Sequence, residues 1–143
     1  MDATTTDTKD MRTRLEEAIA AWNRADLDEY MTLYDDGVTL YGYGPQPMDK
    51  TAVRGFYEGI FGGMPGSQIE LLDTFGEGDR IAARFVQRGR HDGDLMGVPA
   101  TGREVEINGI TVLVFRDGGV IQRYASADML GLMVQLGAIP APA

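Results

Sequence analysis

The sequence has no cysteine in its 143 residues. That excludes a disulfide framework, a thiolate metal site and a cysteine nucleophile. Histidine is nearly missing too: His91 is the only one. Its neighbours Asp92 and Asp94 lack a second His-rich element to close a coordination sphere, so no metal site is expected. Long apolar runs are absent, the longest being ITVLVF, Ile110 to Phe115, far too short to span a bilayer. The opening MDATTTDTKD lacks the apolar segment of a secretory signal. Bases are outnumbered by acids, 13 against 22, for a formal charge of −9, and no Lys/Arg cluster appears. Nucleic acid and anionic membrane are therefore not expected partners, and a soluble cytoplasmic protein is the expectation. GYGPQPMDK lacks the lysine of a phosphate loop, and there is no G-x-S-x-G nucleophile elbow. No cofactor is implied by any motif.

What is present is one domain's worth of chain. Residues 1–10 read as a flexible tail and residues 11–140 as a single domain. Met11, Leu15, Ala18, Ile19 and Trp22 recur at helical spacing, and Asp26 with Glu29 offers a capping box for a second helix carrying Leu27, Tyr30, Met31 and Tyr34. VTLYGYG reads as a short strand. Asp49 then caps a third helix with the stripe Val53, Phe56, Tyr57, Ile60 and Phe61. Beyond Ser67 the apolar period changes from 3.6 to 2, giving four strands joined at GEGD and RDGG. Helices first and a meander afterwards predict an α+β fold. Its helices pack on one face of a strongly curved antiparallel or mixed sheet, making a hollow cone with a short helix at the C-terminus.

Strand parity selects the residues that would line the hollow. Ile81, Ala83, Phe85, Gln87 and His91 share one face of their strand, while Arg84, Arg88 and Arg90 share the other. Tyr41 and Tyr43 share a face of the first strand, with one hydroxyl free to polarise a carbonyl. Thr111 and Leu113 form a third wall, Arg123 and Ala125 a fourth. Arg123 is expected to point outward; turned inward, it requires a protein carboxylate or a substrate carboxyl as partner. Trp22 packs the first helix on the sheet or floors the pocket. Met48, Met64 and Met96 fall in predicted loops and mark candidate lids, while Met129, Leu130, Leu132, Met133 and Leu136 form the apolar face of the last helix.

GRHDGDLMGVPATGR (Gly89 to Arg103), the RDGGVI turn and the terminal D-x6-QLG (Asp128 to Gly137) resemble the SnoaL-like polyketide cyclases of the nuclear transport factor 2-like superfamily. The likeness spans Leu15 to Pro140 and extends to indanomycin-type cyclases. It implies an α+β cone, a homodimer through the open sheet, and a pocket for a small hydrophobic, polyketide-derived substrate. The family's aldol-cyclase aspartate falls on Ala125 and its assisting histidine on Thr111, so neither expected acid–base residue is present. Asp128 matches the aspartate that starts the closing helix, a cap before it is an acid. Comparison with the ketosteroid isomerases puts their general base at Tyr41 and their helix tyrosine at Ala18. Comparison with limonene-type epoxide hydrolases leaves Arg90 and Asp92 as half of an Asp-Arg-Asp set.

The candidate catalytic residues are thus Tyr41, His91 and Asp128. The candidate substrate contacts are Trp22, Tyr43, Phe85, Met96, Thr111, Leu113, Arg123 and Ala125. The expected activity is a cofactor-independent cyclase of lyase or isomerase type in antibiotic biosynthesis, closing rings mainly by pocket shape through cycloaddition or aldol chemistry. An epoxide hydrolase or isomerase of the same fold, a non-catalytic binding module, and a dimerisation domain with a vestigial pocket are the alternatives.

Overall fold

A computed structural model describes residues 7–141. Of the expected N-terminal tail, residues 1–6 lie outside the described residues, and the rest enters the first helix, α1 (Thr8–Asn23). Asp7 explains the early start, because its side chain accepts from the Asp10 N–H and satisfies an otherwise orphaned donor. Met11, Leu15, Ala18 and Trp22 then fall on one buried stripe. Asp26 caps the short α2 (Leu27–Met31) by accepting from the Glu29 N–H.

β1 (Tyr34–Tyr41) follows directly, and Asp49 caps α3 (Lys50–Gly63) through the Ala52 N–H. Val53, Tyr57 and Ile60 form the buried stripe of α3, and the stripe continues past its end to Met64. Met64 is fully buried core rather than part of a lid, which corrects the expectation for that loop. The meander comprises β2 (Gln68–Glu77), β3 (Arg80–Arg90), β4 (Glu104–Arg116) and β5 (Gly119–Ala127), followed by α4 (Met129–Gln135). No helix among the described residues is long and apolar enough to cross a membrane.

The sheet order is β1-β5-β4-β3-β2, with β1 parallel to β5 and the other pairs antiparallel. It is an open, mixed sheet. Register shifts between Tyr34 and Thr39, Leu71 and Asp73, and Val114 and Phe115 mark bulges that bend the strands. Alternation puts Ile81, Ala83, Val105, Ile107 and Leu113 in the core between sheet and helices. The other face carries exposed ion pairs, Arg84 with Asp73 and Arg88 with Glu70 and Glu106. Such solvated pairs each contribute about 0–1 kcal/mol, so the fold rests on the core side.

One glycine decides which side chains reach that inner side. Gly42 sits directly after β1 with φ of 92°, and a Cβ there would collide with the Ala125 carbonyl of β5. The left-handed backbone breaks the alternation. Tyr41, before the break, alternates with buried Leu40 and stacks on Tyr124, with centroids 4.9 Å apart and both rings exposed, while Tyr43, after it, turns inward. The expectation that Tyr41 and Tyr43 share a face fails for this reason.

Candidate functional site

Between α1, α3 and the inner face of the sheet lies a cavity of about 130 Å³. Its walls are mostly aromatic and aliphatic, with Trp22, Phe56, Phe85, Ile60 and Ile107 among them. An engineered cavity of about 150 Å³ in another protein holds benzene, so this one takes a ring-sized group and leaves a longer ligand to emerge at the mouth. Met96 and Met129 also line it; Met96 is exposed and stands at a positive φ of 50°. Trp22 stacks on Phe61 at 4.2 Å and spends its indole N–H on Ser67 Oγ at 3.1 Å, so it offers the cavity an apolar surface. Phe85 lies over Gly109, where a Cβ would overlap the ring. The missing side chain on β4 is what lets Phe85 lie flat against the wall.

Arg123 is the one charged residue of the lining, and it is buried at 7 % exposure. It points inward, against the expectation of outward exposure. No carboxylate meets it among the described residues. Its Nε donates to Thr111 Oγ1 at 2.9 Å, and Nη1 donates to the hydroxyls of Tyr30 at 2.9 Å and Tyr34 at 2.6 Å. Thr111 can accept because its own hydroxyl donates to the Tyr124 carbonyl. Tyr34 is 2.5 Å from the Tyr57 hydroxyl, which is 3.2 Å from that of Tyr43. Nη2 has no protein partner among the described residues, yet no buried side-chain nitrogen or oxygen there is left unsatisfied. Nη2 is therefore not sealed off and is the nitrogen of Arg123 left free for a ligand; Arg123 borders both this cavity and a smaller one of about 20 Å³ beside Leu15 and Ile19.

A guanidinium only donates, and this sets the direction of every bond around it. Tyr30 and Tyr34 must accept from Nη1. The Tyr34–Tyr57 and Tyr57–Tyr43 bonds can run in either direction; when they run outward from Arg123, the proton of Tyr43 is left for the cavity. Burial pushes the phenols of Tyr34 and Tyr57 well above their ordinary value and raises Tyr43 as well. Tyr30 runs the other way: burial, the largest influence, opposes its ionisation, but the Arg123 charge together with hydrogen bonds from Tyr57, Arg123 and Tyr34 brings it below the usual phenol value. For Arg123, burial disfavours the charge, the phenol oxygens outweigh it, and the group stays a guanidinium.

The structure brings Trp22, Tyr43, Phe85, Met96, Arg123 and Ala125 together on this cavity. Five expected residues stand elsewhere. Tyr41 is on the outer face, for the backbone reason given above. His91 is fully buried in its own loop: Thr101 N–H donates to Nδ1 at 3.2 Å, which leaves Nε2–H to donate to the Val98 carbonyl at 3.1 Å. Both nitrogens are occupied in pinning the Met96 loop, so the ring offers nothing to the cavity. Asp128 is exposed and accepts from the Gly131 N–H at 2.8 Å, the geometry of an N-cap. Leu113 is fully buried core. Thr111 is reached only through Arg123, as a support. Arg90 and Asp92, the half of a hydrolase set, form an exposed ion pair at 2.9 Å.

Tyr30, Tyr34 and Tyr57 were read only as helical stripe residues. Their hydroxyls were the missed signal, because a buried phenol needs a partner and three of them in apolar stripes require a shared one. Gln87 was placed on the correct face but not singled out; it reaches Ser67 Oγ at 3.2 Å on the opposite side of the lining.

The sequence model of the SnoaL-like polyketide cyclases matches residues 10–136. No curated protein matches the sequence. Among solved structures, AclR of Streptomyces galilaeus, a proposed hydroxylase, superposes with a TM-score of 0.88 at 28 % identity, over 96 % of this chain and 87 % of that one. TsrD of Streptomyces laurentii gives 0.83 at 26 %, over 94 % and 99 %. IdmH of Streptomyces antibioticus, a proposed polyketide cyclase, gives 0.77 at 26 %, over 89 % and 98 %.

Proposed function

The chain belongs to the SnoaL-like polyketide cyclase family, and from that premise we propose that it is a cytoplasmic, cofactor-independent cyclase acting on a small hydrophobic, polyketide-derived substrate in natural-product biosynthesis. Family and fold neighbours support a cyclase or hydroxylase-like role. The observation that carries the narrower reading is a buried guanidinium, Arg123, and a phenol, Tyr43, on a mostly apolar cavity lining that includes no carboxylate or imidazole. The aromatic walls of Trp22, Phe56 and Phe85 restrict the reactive end of the chain to few conformers, which removes an entropic part of the barrier. The donors stabilise negative charge that develops on a carbonyl oxygen during ring closure. A closure whose substrate is already enolised needs no protein base: the enolate carbon bonds to the carbonyl carbon, and the alkoxide formed takes a proton from water at the cavity mouth.

The test is incubation with linear polyketide-type substrates followed by mass spectrometry. A product of unchanged mass, or lighter by one water, supports ring closure. A gain of one oxygen atom supports the second reading, hydroxylation, which rests on the likeness to AclR. A gain of one water indicates an epoxide hydrolase, and retention of unaltered ligand a binding module.

A homodimer through the outer sheet face belongs to the same proposal. Ile110, Tyr124, Tyr41 and Leu72 are between 36 % and 56 % exposed. Exposed large apolar side chains on one sheet face are candidate contacts for a second copy of the chain.

A further inference from the structure

We infer that the ligand of this cavity carries a pair of oxygens sharing one negative charge, either a carboxylate or an ionised 1,3-dicarbonyl, and that Arg123 with the hydroxyls of Tyr43 and Tyr30 is its receptor. The inference deepens the cyclase reading and rests on it only for the word substrate; the receptor follows from the geometry alone.

A buried guanidinium without a carboxylate partner is costly, and a chain that retains one has a use for the charge. Its three protein bonds go to neutral oxygens, on Thr111, Tyr30 and Tyr34, so its charge is solvated but not neutralised. Nη2 keeps both of its N–H groups free of protein partners, so Arg123 can donate to one ligand oxygen while a neighbouring phenol takes the other. The same charge orients the phenols. Tyr34 and Tyr30 accept from Arg123, and with the bonds through Tyr57 running outward the Tyr43 proton is available to a ligand in the cavity. Arg123, Tyr30 and Tyr43 all line the same cavity, so these donors converge. The lining contains no Asp, Glu or His to compete for them or to repel an anion. The lowered phenol value of Tyr30, to which the Arg123 charge contributes, shows the same field acting on an oxygen beside Arg123. An anionic ligand also accounts for the lack of a strong base: an ionised 1,3-dicarbonyl brings its nucleophilic carbon ready-made.

The ligand probes are phenylacetate for the carboxylate, benzoylacetone at a pH that ionises it for the dicarbonyl, and phenylacetamide as the neutral isostere. Trp22 is the only tryptophan and lines the cavity, so selective excitation of its fluorescence reports binding. At least one anion is expected to bind about ten- to a hundredfold more tightly than phenylacetamide, the range for hydrogen bonds to a charged group. Arg123→Gln is expected to abolish that preference while changing phenylacetamide binding little, and Tyr43→Phe to reduce it several-fold. If Arg123→Gln does not fold, the wild-type preference and Tyr43→Phe decide. Which anion binds more tightly identifies the source of the charge. Equal binding of anion and amide by the wild type, or an anion preference that survives in both variants, overturns the inference. The readout needs no turnover: anion-selective binding without product sinks the cyclase reading alone, and turnover without anion selectivity sinks this one alone.

Discussion

Replacing Gly42 by alanine should unsettle the fold at the point that builds the cavity. Two costs add. A left-handed backbone at φ of 92° penalises any Cβ by about 1–2 kcal/mol. The new methyl would also stand 3.0 Å from the Ala125 carbonyl carbon and closer still to its oxygen, so the β1–β5 pairing at Tyr41 and Tyr124 must move. Accommodating an overpacked methyl costs about 1–3 kcal/mol, for a sum of about 2–5 kcal/mol. For a domain of this size, each kcal/mol lowers Tm by about 4 °C, so the expected drop is about 8–20 °C. Gly44→Ala is the matched control: it lies two residues away, has no positive φ, and its Cβ would make an ordinary 3.5 Å contact with Met48 Cε. Thermal unfolding by circular dichroism compares the two. If Gly42→Ala melts within about 2 °C of Gly44→Ala, the argument that this glycine sets the parity of Tyr41 and Tyr43 is wrong.

The buried phenols give an alkaline signature. Tyr34, Tyr43 and Tyr57 have raised values in the fold, so their contribution is fully present below the unfolded phenol value of about 10 and is lost as pH rises through the folded values. Three retained protons at about 1.4 kcal/mol each give a fall of up to about 4 kcal/mol per pH unit above pH 10, and Tyr57→Phe should make it shallower. Tyr30, lowered by Arg123, adds stability that is complete above about pH 10 and is lost as pH falls through its folded value. Denaturant unfolding between about pH 9 and pH 11 measures both, and a flat profile contradicts the buried network. Asp128→Asn should keep both cap and turnover, and Asp128→Ala should lose about 1 kcal/mol of stability. A turnover loss of about a thousandfold in folded Asp128→Asn would make that residue a catalytic acid. Ile110→Glu on the outer face should shift the sedimentation profile from dimer to monomer without unfolding the chain, and an unchanged profile removes that face from the interface.

Much of the architecture was legible because period and punctuation agree along the chain. The caps at Asp26, Asp49 and Asp128 each do what their position in the sequence implied. The two-residue period after Ser67 became four antiparallel strands with turns at Gly78 and Gly118, both at positive φ. The site was less legible, for two physical reasons. Parity counts fail across a residue of positive φ, and one such residue, Gly42, turned Tyr43 inward while Tyr41 kept the outward side that alternation with Val38 and Leu40 gives it. Sequence also does not say which way a long amphipathic side chain points. Arg123 was expected outside because a lone buried charge is costly, and the cost is offset by hydroxyls from three distant elements, α2, β1 and β4. Tyr30 and Tyr34 lie about ninety positions away from Arg123 in the chain. His91 illustrates the opposite error: a lone histidine on an apolar face attracted a chemical role, but its partners are in its own loop, at Thr101 and Val98.

The most direct test of the central claim is turnover of a linear polyketide-type substrate by Arg123→Gln and wild type, with products quantified by mass spectrometry. The account predicts ring-closed product from the wild type, and a rate lower by about a hundredfold or more in the folded variant, as for loss of an oxyanion donor. A folded Arg123→Gln that turns over within about threefold of wild type would show that the chemistry does not run through this cluster.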